Sequence, residues 1–401
     1  MRRRHEGQGL FSYPTPFTPP TTEDDRLSWL RLIRSHRVGV ATFYRLMAEH
    51  GSAQAALAAL PGIARGAGVA RYDPCSQAAA LREVQAGRAA GARLLCRGEP
   101  GYPAALATIA DAPPVLWALG DMDLLERPMV ALVGARGASS LGIRMARRLA
   151  EGLGAEGYVI VSGLARGIDA AAHAAALGTG TVAVMAGGVD HVYPAENATL
   201  AADIASRGLR LSEQPPGLEP MARHFPMRNR IIAGLARVVI VVEAAAKSGS
   251  LITARIALDQ GREVLAVPGH PFDGRASGCN ALIRDGATLV RGAEDVLAAL
   301  ASLPEALPTG PAPARRAPGG AADAPRPVPV PPASRDEGRE AGAGAGPLQR
   351  RILDRLGPSP LSEDQLIRDL ALSAAVVAPE LVLLEMDGRI QRAPGGLLSR
   401  A

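Results

Sequence analysis

The chain has 401 residues, 47% of them hydrophobic, which is enough apolar material for a large buried core and for two or three domains. The formal net charge is +5 and aromatics make up only 3%, so an anionic partner is compatible but an extended base-stacking platform of the single-strand-binding OB type is not. Three scattered cysteines (Cys75, Cys96, Cys279), with no CxxC pair and no histidine cluster, argue against a disulfide framework or a zinc site and fit a reducing cytoplasm.

Along the chain, residues 1–25 are rich in Thr, Pro and charge and read as a flexible arm. No apolar run or small-residue cleavage site follows the basic start, so no signal peptide is expected, and no window is apolar enough to span a membrane. Residues 26–100 form a small helical domain in which LSWLRLIRSH and ATFYRLMAEH carry apolar residues at helical spacing. LPGIARGAG (60–68) resembles a helix-hairpin-helix turn, the alternative being an ordinary turn between helices.

Residues 101–302 alternate apolar runs with amphipathic stretches. Seven strands are expected: 129–134, 158–163, 181–186, 209–212, 238–243, 263–268 and 288–290. Near-continuous apolar strands separated by helices imply an α/β fold, an extended Rossmann-like parallel sheet covered on both faces. Residues 303–346 are a Pro/Ala/Gly-rich linker. Residues 347–401 show three short helical patterns and a hairpin, the outline of a winged helix. Its 7 Arg against 7 Asp and Glu suggest a protein-contact or regulatory module rather than a DNA reader.

Ligands of open parallel sheets bind beyond the carboxyl ends of the strands. There the loops carry Gly134 and Arg136; Ser162, Gly163, Arg166 and Gly167; and Lys247, Ser248, Gly249 and Ser250. Glycine lets an anion approach the backbone, and exposed amides at a helix start point at it. Among 44 basic residues Lys247 is the single lysine, and it lies in a Gly/Ser loop that opens a helix. A lysine is a compact point charge where arginine is a planar fork. Arg228, Asn229 and Arg230, just before the fifth expected strand, add two cations and an amide, and Phe225 could cover a base. The alternative is that Phe225 is core and the two arginines make structural ion pairs.

The Walker A spacing and the GxGxxG fingerprint are both absent. Candidate acids and bases are Asp169, His173, Asp190, His191, Glu213 and Glu243, but no nucleophile elbow or HExxH accompanies them, so no catalytic residue, metal or cofactor is assigned. Across 101–300 there are 18 basic and 19 acidic residues, so any anion-binding surface is a local patch.

These motifs resemble the DprA/Smf family of DNA-processing proteins. The resemblance runs through GYP (101–103), VGARGASSLG (133–142), SGLARGID (162–169) with His173, GGVDHVYP (187–194), SE (212–213), FPMRNRIIAGL (225–235), VVEAAAKSGSLITA (241–254), VPGHP (267–271) and SGCNALIRDGA (277–287). It implies a non-enzymatic protein that binds single-stranded DNA in a phosphate pocket, pairs as a homodimer through the Rossmann-like domain, and hands the strand to a RecA-type recombinase in natural transformation. The family's binding pattern falls on Arg136, on Ser162, Gly163, Arg166 and Gly167, and on Lys247 to Ser250. VGAR stands where the family often has VGTR, a loss of one hydroxyl. The competing readings are a phosphoribohydrolase-type nucleotide hydrolase, motivated by Glu243 but lacking PGGxGTxxE, and a protein-binding adaptor.

Overall fold

The structure, a computed structural model, describes residues 18–69, 71–303, 346–356, 361–393 and 397–400, and divides into two compact units, Met1–Pro304 and Glu305–Ala401. The expected linker lies almost wholly outside the described residues, as does most of the expected N-terminal arm.

The first unit opens with helices α1 (Glu23–Arg34), α2 (Val40–His50), α3 (Ala53–Gly66) and α4 (Gln77–Ala89). Thr22 and Asp25 form a capping box at the start of α1, with acids in its first turn and arginines in its last. The first helix therefore begins inside the stretch read as an arm. Residues 60–66 also differ from expectation: they are helical, with Pro61 inside α3. Ala53, Ala56, Leu57 and Leu60 lie at helical spacing and are buried in a core with Trp29, Leu30, Phe43 and Leu46, and that packing holds the helix through the proline. The chain turns only at Ala67 and Gly68, the latter at φ 80°.

After α4, β1 (Arg93–Cys96) departs from the all-helical reading of residues 26–100. It pairs antiparallel with β2 (Val115–Gly120), across the short helix α5 (Ala104–Ala107). That partner lies some twenty residues downstream, outside any local periodicity. The expected strands follow as β3 (Met129–Val133), β4 (Val159–Ser162), β5 (Thr181–Val184), β6 (Leu209–Ser212), β7 (Val238–Val241), β8 (Glu263–Ala266) and β9 (Thr288–Leu289). They alternate with α6 (Ser140–Ala155), α7 (Ile168–Ala176), α8 (Ala198–Arg207), α9 (His224–Leu235), α10 (Gly249–Asp259), α11 (Ser277–Arg284) and α12 (Ala293–Ser302).

The sheet order is β1-β2-β6-β5-β4-β3-β7-β8-β9. All contacts from β6 to β9 are parallel, and β1 and β2 add antiparallel strands at one edge. Successive side chains alternate between faces. Val130, Leu132, Ile160 and Ile240 pack under α6, α7 and α12, while Ala131, Val133, Val161, Val239 and Val241 pack under α5, α9, α10 and α11. Each such buried aliphatic contributes roughly 1.5–3 kcal/mol relative to exposure. The chain works outward from β3 to β6, crosses back to β7 beside β3, and works outward again. The crevice between β3 and β7 is therefore the topological switch point of a Rossmann-like sheet.

The second unit contains α13 (Pro347–Arg355), β10 (Leu361–Ser362), α14 (Glu363–Leu370), α15 (Ala374–Met386), β11 (Ile390–Ala393) and β12 (Leu397–Arg400), with sheet order β10-β12-β11. Ile352, Leu366, Val377, Leu381, Leu384 and Leu398 form its core. Three helices and a closing hairpin make it the winged helix outlined by the sequence.

Candidate nucleic-acid interface

A cavity of about 610 Å³ opens over the switch point. The β3–α6 loop supplies Gly134, Arg136 and Gly137, and the β7–α10 loop supplies Lys247, Ser248, Gly249 and Ser250. Phe225, Arg228 and Asn229 come from α9, and Arg275 from the loop after β8.

The first loop is tight because its neighbours leave no room. A Cβ on Gly134 would lie 2.5 Å from Ile168 Cγ1, and Ala135 N donates to Glu243 O at 2.7 Å. Ser139 caps α6, its hydroxyl accepting from Gly142 N at 3.0 Å. Glu243 then accepts from both Ser139 N and Ser139 Oγ. Burial pushes the Glu243 carboxyl up from its ordinary value, and the two bonds from Ser139 oppose that shift. The carboxylate that motivated the hydrolase reading is thus spent on the start of α6.

Lys247 is exposed and immediately precedes the Ser248 cap of α10, whose hydroxyl accepts from Ser250 N. Neither Lys247 nor Arg136 has a carboxylate partner among the described residues. Arg136 stands over the Phe225 ring at 5.2 Å from its centroid, and Tyr193 meets that ring edge-on at 5.8 Å. Two cations, a helix N-terminus and an aromatic ledge therefore face one crevice.

The second loop is built differently from expectation. Three of its amides are turned to buried side chains: Gly163 N and Ala165 N donate to Asp169 at 3.1 and 3.3 Å, and Leu164 N donates to His173 Nε2 at 3.3 Å. Ser162 is fully buried and its hydroxyl donates to Leu132 O at 2.6 Å. Gly167 has φ 72°, and a Cβ there would strike the carbonyls of Ala135 and Arg136, so glycine is required by close packing. Gly163 and Arg166 line a smaller hollow with Arg136, Tyr193 and Phe225, and Arg166 pairs with Glu196 at 2.7 Å.

The pair Asp169 and His173, which share a helix face, do not bond each other. His173 Nδ1 meets Thr181 Oγ1 at 2.7 Å, and burial pushes its pKa down to about 3, so it is neutral. Burial also raises the Asp169 carboxyl, against the pull of the neighbouring Arg228.

The two arginines of Arg-Asn-Arg part company. Arg228 is buried at the cavity wall, with Nη1 donating to Gly163 O and to Val184 O at 2.9 Å. Burial lowers its pKa to about 10, which leaves it a cation. Arg230 does not reach the cavity: it pairs with buried Glu213 and donates to Asp111 O at 2.8 Å. Arg275, which pairs with Asp273 at 3.1 Å, was not singled out in the sequence, although it lies in the same carboxyl-end loop as Pro268-Gly269-His270, five residues further on. Among the described residues no cluster of His, Cys, Asp or Glu could hold a metal, and no helix is long and apolar enough to cross a membrane.

Comparison with known proteins places this architecture. Residues 93–301 match the family described as DNA recombination-mediator protein A, residues 23–86 the DprA-like N-terminal HHH domain, and residues 327–396 the DprA winged helix domain. The DNA processing protein DprA of Streptococcus pneumoniae is 51% identical over 199 residues, covering 49% of this chain and 70% of that protein. Protein Smf of a Synechocystis species is 36% identical over 334 residues, covering 76% of this chain and 79% of that one. The X-ray structure of the S. pneumoniae DprA superposes with a TM-score of 0.53 at 46% identity, over 56% of this chain and 77% of that chain. With all three of its parts matched and a relative aligned over most of both lengths, the chain belongs to the DprA/Smf family of DNA-processing proteins.

Proposed function

We propose that the crevice between β3 and β7 binds the backbone phosphates of single-stranded DNA, and that the protein holds the strand for a RecA-type recombinase. The observation that carries this reading is the meeting of Arg136 and Lys247, neither neutralised by a carboxylate among the described residues, at the N-terminus of α10. The Phe225–Tyr193 ledge beside them offers an apolar face to an unpaired base, which a duplex would not present. The family's description as a recombination mediator supports the hand-over, and pairing of two copies through the Rossmann-like domain belongs to the same proposal.

Affinity of this kind is largely counterion release, so log K should fall by roughly 0.7 per log unit of salt for each phosphate engaged. Lys247→Ala should cost about 1.5–3 kcal/mol, the range for a lost charge-assisted hydrogen bond. A mobility-shift titration with an oligothymidine checks this, and unchanged affinity would sink the reading. Incubation with nucleoside monophosphates should release no free base by chromatography; release would favour the hydrolase reading instead.

A further inference from the structure

The second loop is held in a way that its sequence did not suggest. Residues 163–165 carry three backbone amides and three carbonyls, and buried side chains engage all six. Asp169 takes the amides of Gly163 and Ala165, and His173 takes that of Leu164. Arg228 donates to the carbonyl of Gly163, while Asn197 Nδ2 donates to those of Leu164 and Ala165 at 2.9 and 3.3 Å. Gly163 and Leu164 are buried, so these groups must find partners inside the protein. Four side chains from α7, α9 and the Ala195–Asn197 turn supply them around Leu164, which sits at φ 54°, a left-handed conformation uncommon for leucine.

What the clamped stretch presents is the next residue, Arg166. Its guanidinium meets Glu196, the neighbour of Asn197. One short turn therefore holds Arg166 at both ends, the backbone through Asn197 and the side chain through Glu196. Arg228 holds the same loop from the cavity wall: Nη1 serves two carbonyls and Nε serves Asn229 Oδ1 at 3.2 Å.

We infer that Asp169, His173, Asn197 and Arg228 are positioning residues that hold the 163–166 loop so that Arg166 projects beside the cation crevice. The inference rests on the strand-binding reading above.

The test is the salt dependence of oligothymidine binding by the full chain. Asn197 is uncharged and lines neither the cavity nor the smaller hollow. If it acts by placing Arg166, Asn197→Ala should weaken binding about tenfold or more, as the loss of one charged contact does. It should also lower the salt slope by roughly 0.7, although no charge has been removed. Arg166→Ala should do the same, and combining the two should add nothing further.

General destabilisation would not move the slope. Wild-type affinity and slope in Asn197→Ala would overturn the inference. So would a further slope loss of roughly 0.7 in the Asn197→Ala, Arg166→Ala double variant, because Asn197 would then act through a charge other than Arg166. Should Asn197→Ala lose its thermal transition, Asn197→Leu, closer to asparagine in volume, decides in its place. If the wild-type protein itself shows no salt-dependent binding, the strand-binding reading falls before any variant is compared.

Discussion

Two arginines one residue apart do unlike work, and substitution separates them. Arg230 and Glu213 form a buried ion pair behind the cavity. Arg230→Ala leaves that carboxylate buried and uncompensated, so stability should fall by about 3–5 kcal/mol in urea unfolding. Lys247→Ala, at an exposed loop position, should leave the unfolding midpoint unchanged and alter only strand binding. His173 supplies a second contrast. Its pKa is held near 3 in the folded chain by burial, with the cation Arg228 also disfavouring protonation. Its unfolded value is near 6.5, so the unfolded state binds the proton first as the pH falls. Its contribution is complete above about pH 6.5, and about 2 kcal/mol should be lost by pH 5. Comparing wild type with His173→Gln by urea midpoint at pH 7 and pH 5 checks this: the wild type should lose more stability on acidification than the variant.

At the scale of elements, the helix starts matter most. α6 and α10 both begin at the switch point, each with a serine cap. Ser139 also engages Glu243, so one side chain ties the start of α6 to the end of β7. Gly142 makes room for this, since a Cβ there would lie 2.5 Å from Glu243 Oε2. Ser139→Ala should cost about 1 kcal/mol for the cap, and more where Glu243 loses its donor, to a total of roughly 2–3 kcal/mol. Thermal melting checks the total, and a change below about 0.5 kcal/mol would mean that the cap and the carboxylate are not coupled. In the winged helix, α15 exposes Val376, Val382, Leu383 and Met386 on the side away from its core. Glu380 and Glu385 of the same helix are engaged within the unit, by Gln349 and Arg392.

On the scale of the whole molecule, charge is nearly even, and the anion site comes from placement. Folding brings Arg136 and Lys247, 111 positions apart in the chain, to one crevice, with neither in an ion pair among the described residues. The two compact units divide near residue 304. A chain ending at residue 304 should therefore keep the single-strand affinity and salt slope of the full protein, measured by the same titration. A loss above about tenfold would assign part of the binding to the winged helix instead.

Much of the fold was legible in the sequence. Strands β3, β4, β5 and β7 are short, mainly apolar runs buried on both faces, and burial of that kind writes itself into composition. The carboxyl-end loops, and hence Arg136 and Lys247, followed from strand order and the rule for open sheets. Strands β1 and β2 did not follow, because their pairing joins residues too far apart for a local window. The helix through Pro61 did not follow either, because tertiary packing overrode a residue that ordinarily breaks helices. The sequence by itself determined that there is a parallel sheet with glycine-bearing, cationic loops at one edge, since apolar periodicity and residue type are local properties. Only the tertiary structure decided which of those cations meet. It turned Arg230 and Ser162 inward and set Glu243 to capping α6. It also spent the amides of 163–165 on buried side chains, because the partner of a hydrogen bond or an ion pair is chosen by three-dimensional proximity.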